Sequence, residues 1–163
     1  MYPVLKVKTN FLHIPEANNI VNEIISFNSK SYFYTLIGKS QIEQKAIVTN
    51  FQKDLFLHLK NSFLSIRWDT EYKAKNGSRD SVDIFGETSN YSIIIELDKH
   101  RADQVAKKFI SRSALYIDRK IFYIALCYPG TTRMPINETI KYFGYCSDLS
   151  KKLNNEYAGL IIS

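Results

Sequence analysis

The chain has little of what marks a secreted, membrane-embedded or loop-rich protein. Its two cysteines, Cys127 and Cys146, lack a CxxC spacing, which argues against a disulfide framework and favours a reducing compartment. No apolar run approaches the roughly 18 residues of a transmembrane helix, and the N-terminus lacks the basic-then-apolar pattern of a signal peptide. Only six glycines and four prolines interrupt the chain. Together these absences predict a cytoplasmic protein with few long loops and no membrane partner.

What the sequence does contain predicts one globular domain over residues 1–163. Apolar residues make up 45% of the chain and charged residues 23%, which is the balance of a folded domain with a sizeable core. We find no repeat, linker or low-complexity segment. The formal net charge is +6, which favours anionic partners such as nucleic acid, although a basic protein without such a partner has the same composition.

Apolar periodicity predicts alternating helices and strands. Ser40 is expected to cap the longest helix, with Glu43 completing a capping box. Residues 32–37 fit either a short strand or an extension into the next helix, and Asn76-Gly77 is typical of a hairpin turn. From residue 40 the order is αβββαβαβ, which predicts an α/β fold with a mixed central sheet flanked by helices. The predicted helices are 17–28, 40–62, 101–116 and 136–153, and the predicted strands are 64–74, 80–86, 91–98, 120–128 and 157–162.

Acidic residues within two apolar strands are the informative feature. Glu96 follows three isoleucines, and Asp83 lies between Val82 and an isoleucine on the preceding strand. An ionised carboxylate beside a core is costly unless a cation neutralises it. Side chains alternate along a strand, so Glu96 and Asp98 share a face, and a return strand can bring Asp83 beside them. Carboxylate oxygens are the ligands that Mg²⁺ prefers.

This pattern, Asp-x12-Glu-x-Asp-Lys on the second and third strands of a helix–meander–helix–strand order, resembles the PD-(D/E)XK nuclease superfamily. The resemblance covers about residues 40–128. It implies a restriction endonuclease-like αβββαβ core, with the N- and C-terminal extensions available for dimerisation or DNA contacts. It also implies metal-dependent hydrolysis of phosphodiester bonds.

The resemblance assigns roles to individual residues. Asp83 matches the first metal-binding acid and Glu96 the second. Asp98 occupies the position of the family's lysine, where it would act as a further metal ligand or as the base. Lys99 follows one residue late, so the lysine role falls either to Lys99 or to Lys107 or Lys108 on the next helix. Val82 stands where the family's proline is expected.

Further residues complete the predicted site. Glu43 matches a first-helix glutamate that supplements the metal ligands, and Gln104 matches a polar position facing the site. Glu43 and Asp98 each have a structural alternative, because Glu43 can serve the capping box and Asp98 can cap the helix that begins near Arg101. Basic residues around the motif predict a surface for the DNA backbone. They are Lys73, Lys75, Arg79, Lys99, Arg101, Lys107, Lys108 and Arg112.

The sequence therefore predicts a Mg²⁺-dependent endonuclease acting on double-stranded DNA, with Mn²⁺ as a possible substitute ion. A type II restriction endonuclease acting as a homodimer is the first hypothesis, since two cuts at a palindrome need two sites. A repair, phage or mobile-element nuclease of the same fold is the second. A non-catalytic DNA-binding or assembly module is the third, and the displaced lysine is its sign.

Overall fold

A computed structural model describes residues 1–73, 80–130 and 135–163. The fold contains a six-stranded mixed sheet flanked by helices, in the order β1-β6-β5-β4-β3-β2. The helices are α1 (Ala17–Ser26), α2 (Lys30–Phe33), α3 (Gln41–Ser62), α4 (Ala102–Leu115) and α5 (Ile136–Lys152). The strands are β1 (Pro3–Lys8), β2 (Arg67–Lys73), β3 (Ser81–Glu87), β4 (Tyr91–Lys99), β5 (Lys120–Tyr128) and β6 (Glu156–Ile162).

The predicted α/β class and element order are confirmed, and each predicted helix and strand lies within a few residues of its expected bounds. Residues 32–37 resolve into the short helix α2 and a turn, not a strand. The sequence prediction missed β1, an edge strand that pairs antiparallel with β6 at the opposite end of the chain. The predicted turn Asn76-Gly77 and the basic residues Lys75 and Arg79 lie outside the described residues.

The sheet has an antiparallel part and a parallel part. β2, β3 and β4 form an antiparallel meander, whereas β4, β5 and β6 run parallel, with α4 and α5 as the crossovers between them. A parallel connection needs such a crossover, which lies against one face of the sheet. α4 and α5 therefore pack on one face, and α1 and α3 cover the other.

The central strand β4 is buried on both faces. Ile93 and Ile95 belong to the core beneath α1 and α3, whereas Ile94 packs into the core beneath α4 and α5. A strand covered on both sides reads as a continuous apolar run, which is what precedes Glu96. In the described ranges, every helix is too short or too polar to cross a lipid bilayer.

The face of α4 that packs on the sheet differs from the predicted stripe. The spacing of the apolar residues in the sequence predicts one face made of Ala102, Val105, Ala106, Phe109 and Ile110, but Ile110 is 59% exposed. The buried positions are instead Val105, Phe109 and Arg112. Lys108 and Arg112 on this helix face acids of the sheet.

Candidate active site

Three carboxylates from two strands converge on one ammonium group. Nζ of Lys108, on α4, lies 3.0 Å from Oε2 of Glu96, 3.5 Å from Oδ2 of Asp98 and 3.6 Å from Oδ2 of Asp83. It also donates a hydrogen bond to the main-chain oxygen of Leu97 at 3.1 Å. The structure thus brings together all three acids that the sequence singled out, and of the three candidate lysines it places Lys108 among them.

Strand geometry explains why the acids meet. Glu96 and Asp98 are two residues apart on β4, so both face α4. β3 pairs antiparallel with β4 up to Ile84 opposite Ile95, which brings the next residue, Asp83, alongside Glu96. There the Asp83 carboxylate accepts a hydrogen bond from the Leu97 backbone N–H at 2.7 Å. The acids therefore lie where the β3–β4 pairing ends.

Arg112 completes the charge pairing from the next turn of α4. Its Nε donates to Oε1 of Glu96 at 2.8 Å, and its Nη1 lies 3.1 Å from Oδ2 of Asp80. Arg112 follows Lys108 by four residues, so both project from the same side of the helix. Glu96, which is only 3% exposed, is held between these two cations.

Burial dominates the electrostatics of the cluster. Burial, together with the nearby charge of Asp83, raises the pKa of Glu96 to about 7 against the opposing effects of Lys108 and Arg112. Burial likewise raises the pKa of Asp98. For Lys108 burial alone would lower the pKa, but the three carboxylates together outweigh it and raise the pKa above its usual range. Burial thus disfavours the ionised forms of Glu96 and Asp98.

Two carboxylate oxygens in the cluster retain bonding capacity. Glu96 Oε2 and Asp98 Oδ2 are buried and accept no well-formed hydrogen bond, so their contact is the Lys108 ammonium. Hard oxygen donors of this kind match the preference of Mg²⁺. In the described part of the chain, however, no three Asp, Glu, His or Cys side chains stand ready to hold a metal ion as they are. The donor set fits the ion chemically, and Lys108 occupies the point where the donors converge.

The remaining predicted residues lie apart from the acids. Lys99 faces the α3 side of the sheet, where its Nζ donates to Oε1 of Gln44 at 2.9 Å. Glu43 forms the predicted capping box with Ser40 and is exposed. Asp98 does not cap α4, because the N-cap position belongs to Arg101 and has no side-chain cap.

The polar residues of the first turns of α4 interact with one another. Asp103 accepts from Gln104 Nε2 at 3.0 Å and from Arg101 Nη2 at 2.9 Å, while Lys107 is exposed. These residues do not contact the carboxylates of the cluster through any bond that the structure records among the described residues.

Sequence reasoning missed two contributors. Arg112 follows Lys108 by four residues, so a helix places both on the same side. This spacing is the signal in the sequence that could have identified Arg112 as the partner of Glu96. Gln52, a buried glutamine on α3, donates to the main-chain oxygen of Asp83 at 2.7 Å and to Glu71 Oε1 at 2.9 Å. Only the packing of α3 against the sheet reveals this contact.

Comparison with known proteins adds no assignment, since no family model and no curated protein matches the chain. The chemistry of the cluster must therefore be argued from its own residues.

Proposed function

We propose that the chain is a Mg²⁺-dependent endonuclease that hydrolyses DNA, with Mn²⁺ as a possible substitute ion. The observation that supports this proposal is the convergence of Asp83, Glu96 and Asp98 on one cation at the end of the β3–β4 pairing. Three buried or half-buried carboxylates facing one point are costly to keep together, and a divalent ion would offset their charge more completely than one ammonium does.

In the proposed reaction Asp83 and Glu96 would hold the metal ion. A bound ion there would lower the pKa of a water molecule and offset the charge of the attacked phosphate. Asp98, whose side chain is 19% exposed, is the carboxylate that would orient the attacking water and accept its proton as the water oxygen bonds to phosphorus and the bond from phosphorus to the leaving oxygen breaks. Lys108 has a flexible stem, so its ammonium can turn toward the phosphate oxygens and offset the charge that develops there.

The decisive experiment is incubation of plasmid DNA with the purified protein in Mg²⁺, Mn²⁺ or EDTA, beside an Asp83→Ala/Glu96→Ala double variant. The matched control is Asp103→Ala/Asp148→Ala, which removes two exposed carboxylates from α4 and α5. We expect cleavage by the wild type and the control, only with metal, and none by the Asp83/Glu96 variant. Equal cleavage by all three proteins, or none by any folded one, contradicts the proposal.

The pattern of products separates the biological roles. Discrete fragments together with a dimer in light scattering support a type II restriction endonuclease acting as a homodimer, whereas nicking or smearing supports a repair, phage or mobile-element nuclease. The free thiols Cys127 and Cys146 suit action in the reducing cytoplasm.

One observation favours the third reading, a non-catalytic DNA-binding module. Lys108 already pairs with all three acids, so the cluster can serve as a buried ion-pair network without metal. This reading predicts DNA binding that metal does not alter, together with no cleavage in either ion.

A further inference from the structure

A cavity lined largely by polar residues lies at the end of β4, on the face of the sheet opposite to the acid cluster. Its volume is about 350 Å³, and it lies between α3 and the ends of β2, β4 and β5. Positions 41, 44, 45, 48, 49 and 52 of α3 form its wall, a spacing that places them on one face of the helix. Lys99 and Tyr128 close it from the sheet. Hereafter we call this cavity the α3 groove.

Among the described residues, the lining of the α3 groove carries two lysines and one acid, Glu71, and so a formal charge of +1. The oxygens of Glu71 accept hydrogen bonds from Gln52 Nε2 at 2.9 Å and Ser81 Oγ at 2.8 Å. Across the described residues, neither Lys45 nor Lys99 forms an ion pair within 4.0 Å. Lys99 is held instead by the neutral Gln44. Two ammonium groups without an ion-pair partner in the described part of the chain therefore face one open volume, whereas Gln44 Nε2 already donates one hydrogen bond to the main-chain oxygen of Lys39 at 2.7 Å.

The backbone of Asp83 joins the α3 groove to the acid cluster. The Asp83 carboxylate lies on the α4 side, 3.6 Å from Lys108 Nζ, whereas its main-chain oxygen accepts from Gln52 on the α3 side at 2.7 Å. Glu71 pairs with the same glutamine and has a φ of 50°, in the left-handed region that side chains other than glycine seldom adopt. This contact fixes the wall of the groove to the strand that carries the first acid.

The acid cluster and the α3 groove each receive one of two adjacent residues at the end of β4. Asp98 faces the cluster and Lys99 faces the groove, because neighbouring side chains on a strand point to opposite faces. A chain of regularly spaced phosphates that crosses this edge can place one phosphate at the acids and a neighbour beside Lys99.

We propose that the α3 groove binds a backbone phosphate of the nucleic-acid substrate through Lys99, Lys45 and the amide of Gln44. This phosphate is the neighbour, on the same strand, of the phosphate that is cut. This inference rests on the proposed function for the position of the cut, whereas the binding it describes is measured without cleavage. Phosphate contacts of this kind give affinity and register without reading the base sequence. The groove is thus a positioning site for the substrate strand.

The test is fluorescence anisotropy with a fluorescein-labelled 20-base-pair duplex, and with its single strand, in EDTA over a range of salt concentrations. Each phosphate contact contributes a slope of about 0.9 to the fall of log affinity with log salt for duplex DNA. We expect Lys99→Gln to lose about that slope and to bind about eightfold more weakly at 0.1 M salt. The control is Lys141→Gln, an exposed lysine on α5 at the other face of the sheet.

The outcomes distinguish failure of this inference from failure of the proposed function. Loss of slope in Lys99→Gln but not in Lys141→Gln supports the groove even if no metal gives cleavage. Identical slopes for the wild type and Lys99→Gln overturn the groove, even if the wild type cleaves DNA. Absence of binding to both probes by the folded wild type also overturns it, and thermal melting of each variant confirms that it is folded.

Discussion

Replacing Lys108 by methionine separates the cation that the cluster contains from the metal that we propose it binds. Methionine preserves the length and apolar stem of the lysine but removes the ammonium from among three carboxylates. Removing one partner of a buried ion pair costs about 3–5 kcal/mol. Because Lys108 is 26% exposed and Glu96 keeps Arg112, we expect about 2 kcal/mol. In a domain of 163 residues that loss lowers the melting temperature by about 4–8 °C.

Metal should reverse more of this loss in the variant than it adds to the wild type. In the wild type an entering ion must displace the ammonium of Lys108, whereas in Lys108→Met no cation lies at the point where the three carboxylates converge. We expect the variant to bind Mn²⁺ at least about tenfold more tightly, which by linkage adds about 1.4 kcal/mol to the stabilisation by saturating metal. The melting temperature should then rise about 3–5 °C further than that of the wild type.

The assay is differential scanning fluorimetry with and without Mn²⁺, checked by isothermal titration calorimetry, and the matched control is Lys107→Met. Lys107 is the exposed neighbour of Lys108 on the same helix, so its replacement changes the net charge equally. Cleavage by Lys108→Met should fall although its metal affinity rises, since the ammonium also serves the phosphate. If the two variants melt alike and respond alike to Mn²⁺, the idea that Lys108 and metal compete for the cluster is refuted.

Two further predictions concern acidity and packing. The pKa of Glu96 is about 7 in the folded protein against an ordinary 4.5, so the metal-free fold binds more protons than the unfolded chain between these values. The free energy of unfolding should fall by up to about 3 kcal/mol as the pH rises through that window. The melting temperature of Glu96→Gln should not show this decline, and at pH 8 it should be higher than that of the wild type. Gly159→Ala should cost about 1–3 kcal/mol in urea unfolding, because its Cβ would lie 2.4 Å from the buried Phe143 ring; an unchanged midpoint would contradict that packing.

The secondary structure could be predicted because its causes are local. The capping box at Ser40 and the apolar run before Glu96 each mark an element within a few residues of its bounds. β1 was not predicted because its partner is β6, at the other end of the chain. The residues around Pro3–Lys8 carry no local signal of that pairing. A six-residue edge strand with alternating exposure looks locally like an extended terminus.

The acids could likewise be predicted, but their cation could not be chosen. The period of a strand places Glu96 and Asp98 on one face, and by the same rule it places Lys99 on the other. The choice between Lys107 and Lys108 depends on which side of α4 meets the sheet. Apolar content suggested a stripe ending at Ile110, whereas the observed face includes Arg112. Arg112 pairs with the buried Glu96 of β4, and apolar periodicity within the helix does not reveal such a contact.

The two faces of the sheet edge together make a stronger case for a strand-cleaving site than either makes alone. A buried ion-pair network needs no open polar volume beside it, and a basic groove needs no row of acids behind it. Here Asp83 belongs to both, with its carboxylate among the acids and its main-chain oxygen bonded to Gln52 in the wall of the groove. A ligand that settles against α3 therefore shares a rigid support with the first acid. Since small errors in the position of a reacting phosphate cost large factors in rate, a common support of this kind would favour the phosphodiester cleavage that we propose.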